Sequence, residues 1–186
     1  IEIDELASVS PTVASRQTAR HTGAAGRAAT ETKNRHLTFV PLPEFNATGD
    51  LPPGVYAASL STVITRFGTH TDQRKLLAQR LERIHQISAE TGHLARFIVF
   101  GSFVTEKPEP NDVDVFMIMD DDFDLGSLVG EPRLLFGDHG TAQDCFGASV
   151  FWMRQMAAIG GEQAAIVDWQ IKRDGNERGI VEIEAE

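Results

Sequence analysis

The sequence predicts an α/β (α+β) domain, a small mixed β-sheet with helices packed against it. Three observations predict it. A helical stripe of Leu77, Leu81 and Ile84 runs through "DQRKLLAQRLERIHQISAE". Two apolar runs follow, "ARFIVFG" and "DVDVFMIM", the first continuous and the second starting with alternation. The chain closes on "WQIKRDGNERGIVEIE", two alternating runs about a Gly/Asn turn. Helix, strand, loop and further strands in that order build one layered core.

Taken in order, residues 1–37 are rich in Ala, Thr, Gly and Arg and hold few large apolar side chains. Such a segment buries too little surface to fold on its own, so it reads as an N-terminal arm or partner-binding segment. Only "IEIDEL" at its start alternates like a short edge strand. The domain proper spans 38–186. It begins with an extended, Pro-punctuated lead-in, and "GDLPPG" marks a turn. Ser59 caps a short helix, "LSTVITRF", closed by Gly68. Thr71 caps a longer one over about 72–90, with Asp72 in its first turn and Gly92 past its end. Leu76 and Ile87 flank its apolar stripe, and Arg74, Gln79, Glu82 and Arg83 are expected to face away. "ARFIVFG" suits a strand buried on both faces. "DVDVFMIM" is the second strand and "CFGASVFWM" the third, with Cys145 as packing. Residues 164–171 fit either helix or strand, and the closing runs read as a β-hairpin.

Composition narrows the function classes. The 186 residues carry a formal net charge of −10, so broad electrostatic binding of duplex DNA is not expected. The arm holds five basic and four acidic residues, so the acidity belongs to the domain. No apolar run is long enough to span a bilayer, and no membrane association is expected. One cysteine, Cys145, excludes an internal disulfide and fits a reducing, cytoplasmic setting.

The chemistry concentrates in "FGSFVTEKPEPNDVDVFMIM". A two-residue period puts Asp112, Asp114 and Phe116 on one strand face and Val113, Val115 and Met117 on the other. Two carboxylates about 7 Å apart on one face repel each other. A hard dication removes that repulsion, and Mg²⁺ favours one or two carboxylates completed by water and phosphate oxygens. Gly101, at a strand end, lets a phosphate approach the backbone, and Ser102 adds a hydroxyl and an N–H.

The pattern "GS-x(9)-N-D-V-D-V" resembles the nucleotidyltransferase superfamily related to DNA polymerase β. "PEFNATGDLPPGVYAASLSTVITRFG", "GSFVTEKPEPNDVDV" and "RDGNERGIVEI" are similar to a poorly characterised bacterial family within it, and the likeness spans about residues 39–183. The resemblance implies transfer of a nucleoside monophosphate from an NTP to an acceptor. It implies Asp112 and Asp114 as catalytic ligands of Mg²⁺ (or Mn²⁺) and Gly101 and Ser102 as phosphate binders. Active members carry a third acid on the next strand, where this chain has Ser149. Asp144 and Asp168 are the substitutes, and Asp168 in "AIVDWQI" is preferred because a carboxylate among apolar residues needs a partner. Lys172 is expected on the triphosphate, with Arg173 beside it. Small members include toxin–antitoxin components and antibiotic-modifying enzymes, so RNA, a protein partner or a small molecule is the acceptor. The acidic surface weighs against RNA. The competing reading is a catalytically silent, nucleotide-binding module whose arm, 1–37, engages a protein partner.

Other features read more plainly. Asp120, Asp122, Asp124 and Glu131 fall at EF-hand positions, but Leu125 replaces the required glycine, which leaves a solvated acidic loop. His139 is expected in a turn and His85 at a boundary. Trp152 and Trp169 are expected in the core, where either could also stack on a base.

Overall fold

Capping chemistry fixes where the first two helices begin in the computed structural model, which describes residues 41–184. The expected arm and the strand at "IEIDEL" lie outside the described residues. The Ser59 hydroxyl accepts from the Thr62 amide and starts α1, Leu60–Phe67, which Gly68 closes. Thr71 accepts from the Arg74 amide and starts α2, Asp72–Glu90. Leu77, Leu81, Ile84 and Ile87 of α2 are buried, as the stripe requires.

Among the described residues, five strands form one mixed sheet. They are β1 (Val55–Ala58), β2 (Leu94–Phe100), β3 (Val113–Met119), β4 (Ala148–Arg154) and β5 (Ile180–Ile183). The order across the sheet is β1-β5-β2-β3-β4. β2 is antiparallel to both β3 and β5, while β1 and β4 join the flanks in parallel. Parallel neighbours need a long crossover, and the β3–β4 link contains α3 (Glu131–Gly137) and α4 (His139–Phe146). A short α5, Glu162–Val167, follows β4 and runs into a 3-10 turn at Asp168–Gln170.

The strand period sorts the core into two sides. Phe97, Val99, Val113, Val115, Met117, Val150 and Val181 pack with the stripe of α2 and with Phe67, Leu135 and Phe136. Ile98, Phe100, Phe116, Ile118 and Ile180 form the other side, packed with Ile166 and Trp169. At about 25 cal/mol per Å² of apolar surface, two buried faces explain why β2 and β3 read as nearly unbroken apolar runs. No helix among the described residues is long and apolar enough to cross a membrane.

Several expectations change. Cys145 is exposed in α4 and does not begin a strand; Gly147, in the left-handed region, ends that helix, and β4 starts after it. The stretch 164–171 resolves into α5 and the 3-10 turn. The closing segment makes a single antiparallel bridge, Ile171 to Glu177, rather than a hairpin. Its second half is β5, which pairs with β1 and β2. The lead-in holds β1. Arg74 is the largest departure. Expected in solvent, it is 4% exposed, because four carbonyls take its guanidinium. It donates to Phe67 at 2.7 Å, Phe103 at 2.9 Å, Thr105 at 2.6 Å and Lys107 at 2.6 Å.

Candidate functional site

The Arg74 cluster positions the site. Three of its four carbonyl partners, Phe103, Thr105 and Lys107, lie in the segment that follows Gly101–Ser102, and two neighbours at the N-terminus of α2 hold the rest of that loop. Gln73 Nε2 donates to Pro110 O at 3.0 Å, and Thr71 Oγ1 donates to Pro108 O at 3.3 Å. The loop is therefore fastened along its length to one rigid helix. Burial pushes the Arg74 pKa down, partly offset by the charge of Glu109.

Gly101 ends β2 and opens a single 3-10 turn, Gly101–Val104. Its φ of +76° lies in the region that favours glycine. A Cβ built there would collide with the Asp114 carboxylate, so Gly101 gives that carboxylate its room. Phe100 lies opposite Asp114 in the β2–β3 register. On the far side Ser149 of β4 is the register partner of Asp114. The Ser149 hydroxyl donates to Asp112 Oδ2 at 3.0 Å.

Asp114 is pushed up to about 6. Burial is the main cause, and the nearby Asp112 adds to it. Arg178, the Ser149 hydroxyl and Arg173 pull the other way. A carboxyl perturbed by burial and a like charge inside a cleft is a functional-site signature.

Asp112, Asp114, Ser102, Asn111 and Ser149 line one cleft of about 930 Å³ with Lys172, Arg173 and Arg178. Lys172 Nζ lies 3.1 Å from Asp50 Oδ2 and 3.7 Å from Asp174 Oδ2. Arg178, just ahead of β5, was not singled out in the sequence. Its buried Nε has no hydrogen-bond partner among the described residues, and its charge acts on Asp114. "ERGIVEI" offered only a charge beside a strand as a signal. Phe100, His139, Gln143, Phe151, Trp169, Ile171 and Asp174 complete the lining. His139 is the exposed first residue of α4 rather than part of a turn.

Asp168, expected among apolar side chains, is exposed and does not line this cleft, whereas its neighbour Trp169 does. The 3-10 turn buries Gln170, half-buries Trp169 and leaves Asp168 in water. Asp144 is likewise exposed, on α4. Beside Asp112 and Asp114 the next strand thus offers the Ser149 hydroxyl, while the further acid of the cleft, Asp174, lies against Lys172.

Two carboxylates on one face suit Mg²⁺ or Mn²⁺, which such pairs hold together with phosphate oxygens and water. The Asp114 carboxylate itself fills the space that Gly101 leaves. Elsewhere, His93, Asp120 and Asp122 bring ligand atoms within 4.8 Å of one another. Asp122 is 81% exposed there. Its neighbours have backbone duties: Asp121 accepts from the Met156 amide and Asp124 from the Gly126 amide. This group is the solvated acidic loop.

Residues 43–184 match the Family of unknown function (DUF6932), and the chain belongs to that family. No curated protein and no solved structure matches the chain at a significant level.

Proposed function

We propose that this member of the DUF6932 family is a metal-dependent nucleotidyltransferase acting on an NTP. One observation carries the reading: Asp112 and Asp114 line one cleft together with Lys172, Arg173 and Arg178, with a glycine giving the inner carboxylate its room. Paired acids and a cluster of cations in one cleft suit a ligand that is itself a metal–polyphosphate. The likeness of the Gly-Ser and Asp-x-Asp spacing to the polymerase β-related superfamily supports the same class.

In the transfer, an acceptor hydroxyl oxygen bonds to the α-phosphorus. The bond from that phosphorus to the bridging oxygen breaks, pyrophosphate leaves, and the hydroxyl proton passes to solvent. Bound Mg²⁺ would neutralise the phosphates and acidify the attacking hydroxyl. Asp112 and Asp114 would hold the metal. Ser149 orients Asp112 through its hydrogen bond. Ser102 and Arg178 both line the cleft and would meet the outer phosphates.

A second reading has its own observation. Ser149 stands opposite Asp114 and Asp168 is exposed outside the cleft, so Asp112 and Asp114 have no third acid beside them on β4. A protein of that kind would bind nucleotide without turning it over. Incubation with each α-labelled NTP and Mg²⁺ or Mn²⁺ separates the two. Label transferred by the native chain and lost in Asp112→Ala/Asp114→Ala supports the enzyme. Nucleotide retained without transfer supports the silent module, and no metal-dependent nucleotide binding at all sinks both.

A further inference from the structure

The cleft has an apolar wall that acid–metal chemistry does not use. Phe151 is 37% exposed and Ile171 57% exposed, and Trp169 stands half-buried between them and the core. The Trp169 ring lies 4.6 Å from Phe100, 4.8 Å from Phe116 and 4.9 Å from Phe151. The His139 ring is 5.0 Å from Phe151 on its other flank, inclined by 31°. Four aromatic side chains thus back a surface that opens into a cleft otherwise lined by charge.

That wall is held in place before any ligand arrives. Arg96 on β2 forks onto Glu182 of β5 and reaches Glu162 of α5 at 3.1 Å. Gln155 Nε2 donates to the same Glu162 at 2.7 Å. These bonds anchor α5, whose continuation carries Trp169. Phe116 and Phe151 are register partners, as are Asp114 and Ser149 two residues earlier. The aromatic pair therefore sits one pleat from Asp114 on the same sheet face, about 7 Å along the strands.

We propose that Phe151 and Trp169 form the seat for the nucleobase of the NTP, with His139 and Ile171 at its rim. The proposal rests on the nucleotide reading and adds to it a location and a preference. A base stacked here lies one pleat from Asp114, the nearer of the two acids, an interval the ribose bridges. Stacking favours purines over pyrimidines because the larger ring system covers more of the wall.

The test uses the full chain carrying Trp152→Phe. Trp152 does not line the cleft; its Nε1 donates to Phe136 O at 3.0 Å, so the remaining tryptophan fluorescence reports Trp169. ATP, CTP and inorganic tripolyphosphate are titrated in Mg²⁺. The seat predicts quenching by ATP, no quenching by tripolyphosphate, and ATP affinity about tenfold or more above that of tripolyphosphate. Phe151→Ala and Phe151→Leu should each erase that advantage while leaving tripolyphosphate affinity unchanged; the leucine keeps the apolar bulk and removes only the ring. Equal affinities for ATP and tripolyphosphate, with ATP binding indifferent to Phe151, overturn the seat and leave the nucleotide reading standing. Failure of both ligands to bind overturns the nucleotide reading and the seat with it.

Discussion

Gly101 and Asp114 constrain each other across the β2–β3 pair. Any side chain at 101 must displace the Asp114 carboxylate and adopt a backbone conformation with positive φ. Gly101→Ala should therefore lose about 1–2 kcal/mol from backbone conformation alone, measured by urea unfolding. It should also weaken Mn²⁺ binding, measured by calorimetry. Asp114 adds a pH signature. Its pKa in the fold, about 6, lies above the ordinary 3.8. Between those values the folded protein keeps a proton that the unfolded chain has released. The contribution of Asp114 to the stability of the metal-free protein is then fully present below pH 4, falls as pH rises through about 6, and levels off above it. The loss is on the order of 2 kcal/mol. Asp114→Asn should flatten this step in denaturant unfolding followed from pH 4 to 7. Legibility varies at this scale. Gly101 and the acids were readable because spacing and residue type announce them. Arg74 was not, because only the fold shows four carbonyls converging where periodicity suggests solvent.

At the scale of elements, α2 does more than cover the sheet. Its first turn holds the loop joining the Gly-Ser turn to the acid-bearing strand, mainly through Arg74. Arg74→Met should cost on the order of 3 kcal/mol, because buried carbonyls lose a charged donor. Metal affinity should fall with it at temperatures where the variant remains folded. Pairing of β3 with β4 sets the other wall. Ser149→Asp would place a carboxylate opposite Asp114, and it should destabilise the metal-free protein while tightening Mn²⁺ binding. A calorimetric titration beside a thermal scan reads both effects. Caps made α1 and α2 legible, since Ser59 and Thr71 act locally. Alternation marked β5 as a strand, but its partners β1 and β2 lie far off in sequence, so a local hairpin was inferred instead. For α3 and α4, the pattern around the exposed Leu134 and Cys145 carries too little periodicity to read.

Across the whole molecule, the sheet depends on contacts between distant parts of the chain. β5 stands between β1 and β2 and bonds to both. A chain ending at Gly179 should lose cooperative unfolding altogether, a result that circular dichroism against temperature would show. The α+β class was legible because apolar period and length are properties of each segment. The strand order was not, because it belongs to all segments together.

That same placement of β5 has a bearing on biosynthesis. While the nascent polypeptide is still emerging from the ribosome, the inner flank of β2 has no neighbour and presents bare amides and carbonyls to the cell. Only β5, made after every other strand of the sheet, can cover it. Such a domain gains its final architecture only once β5 has been synthesised, and a message interrupted before residue 180 would leave an adhesive fragment rather than a slightly shortened domain.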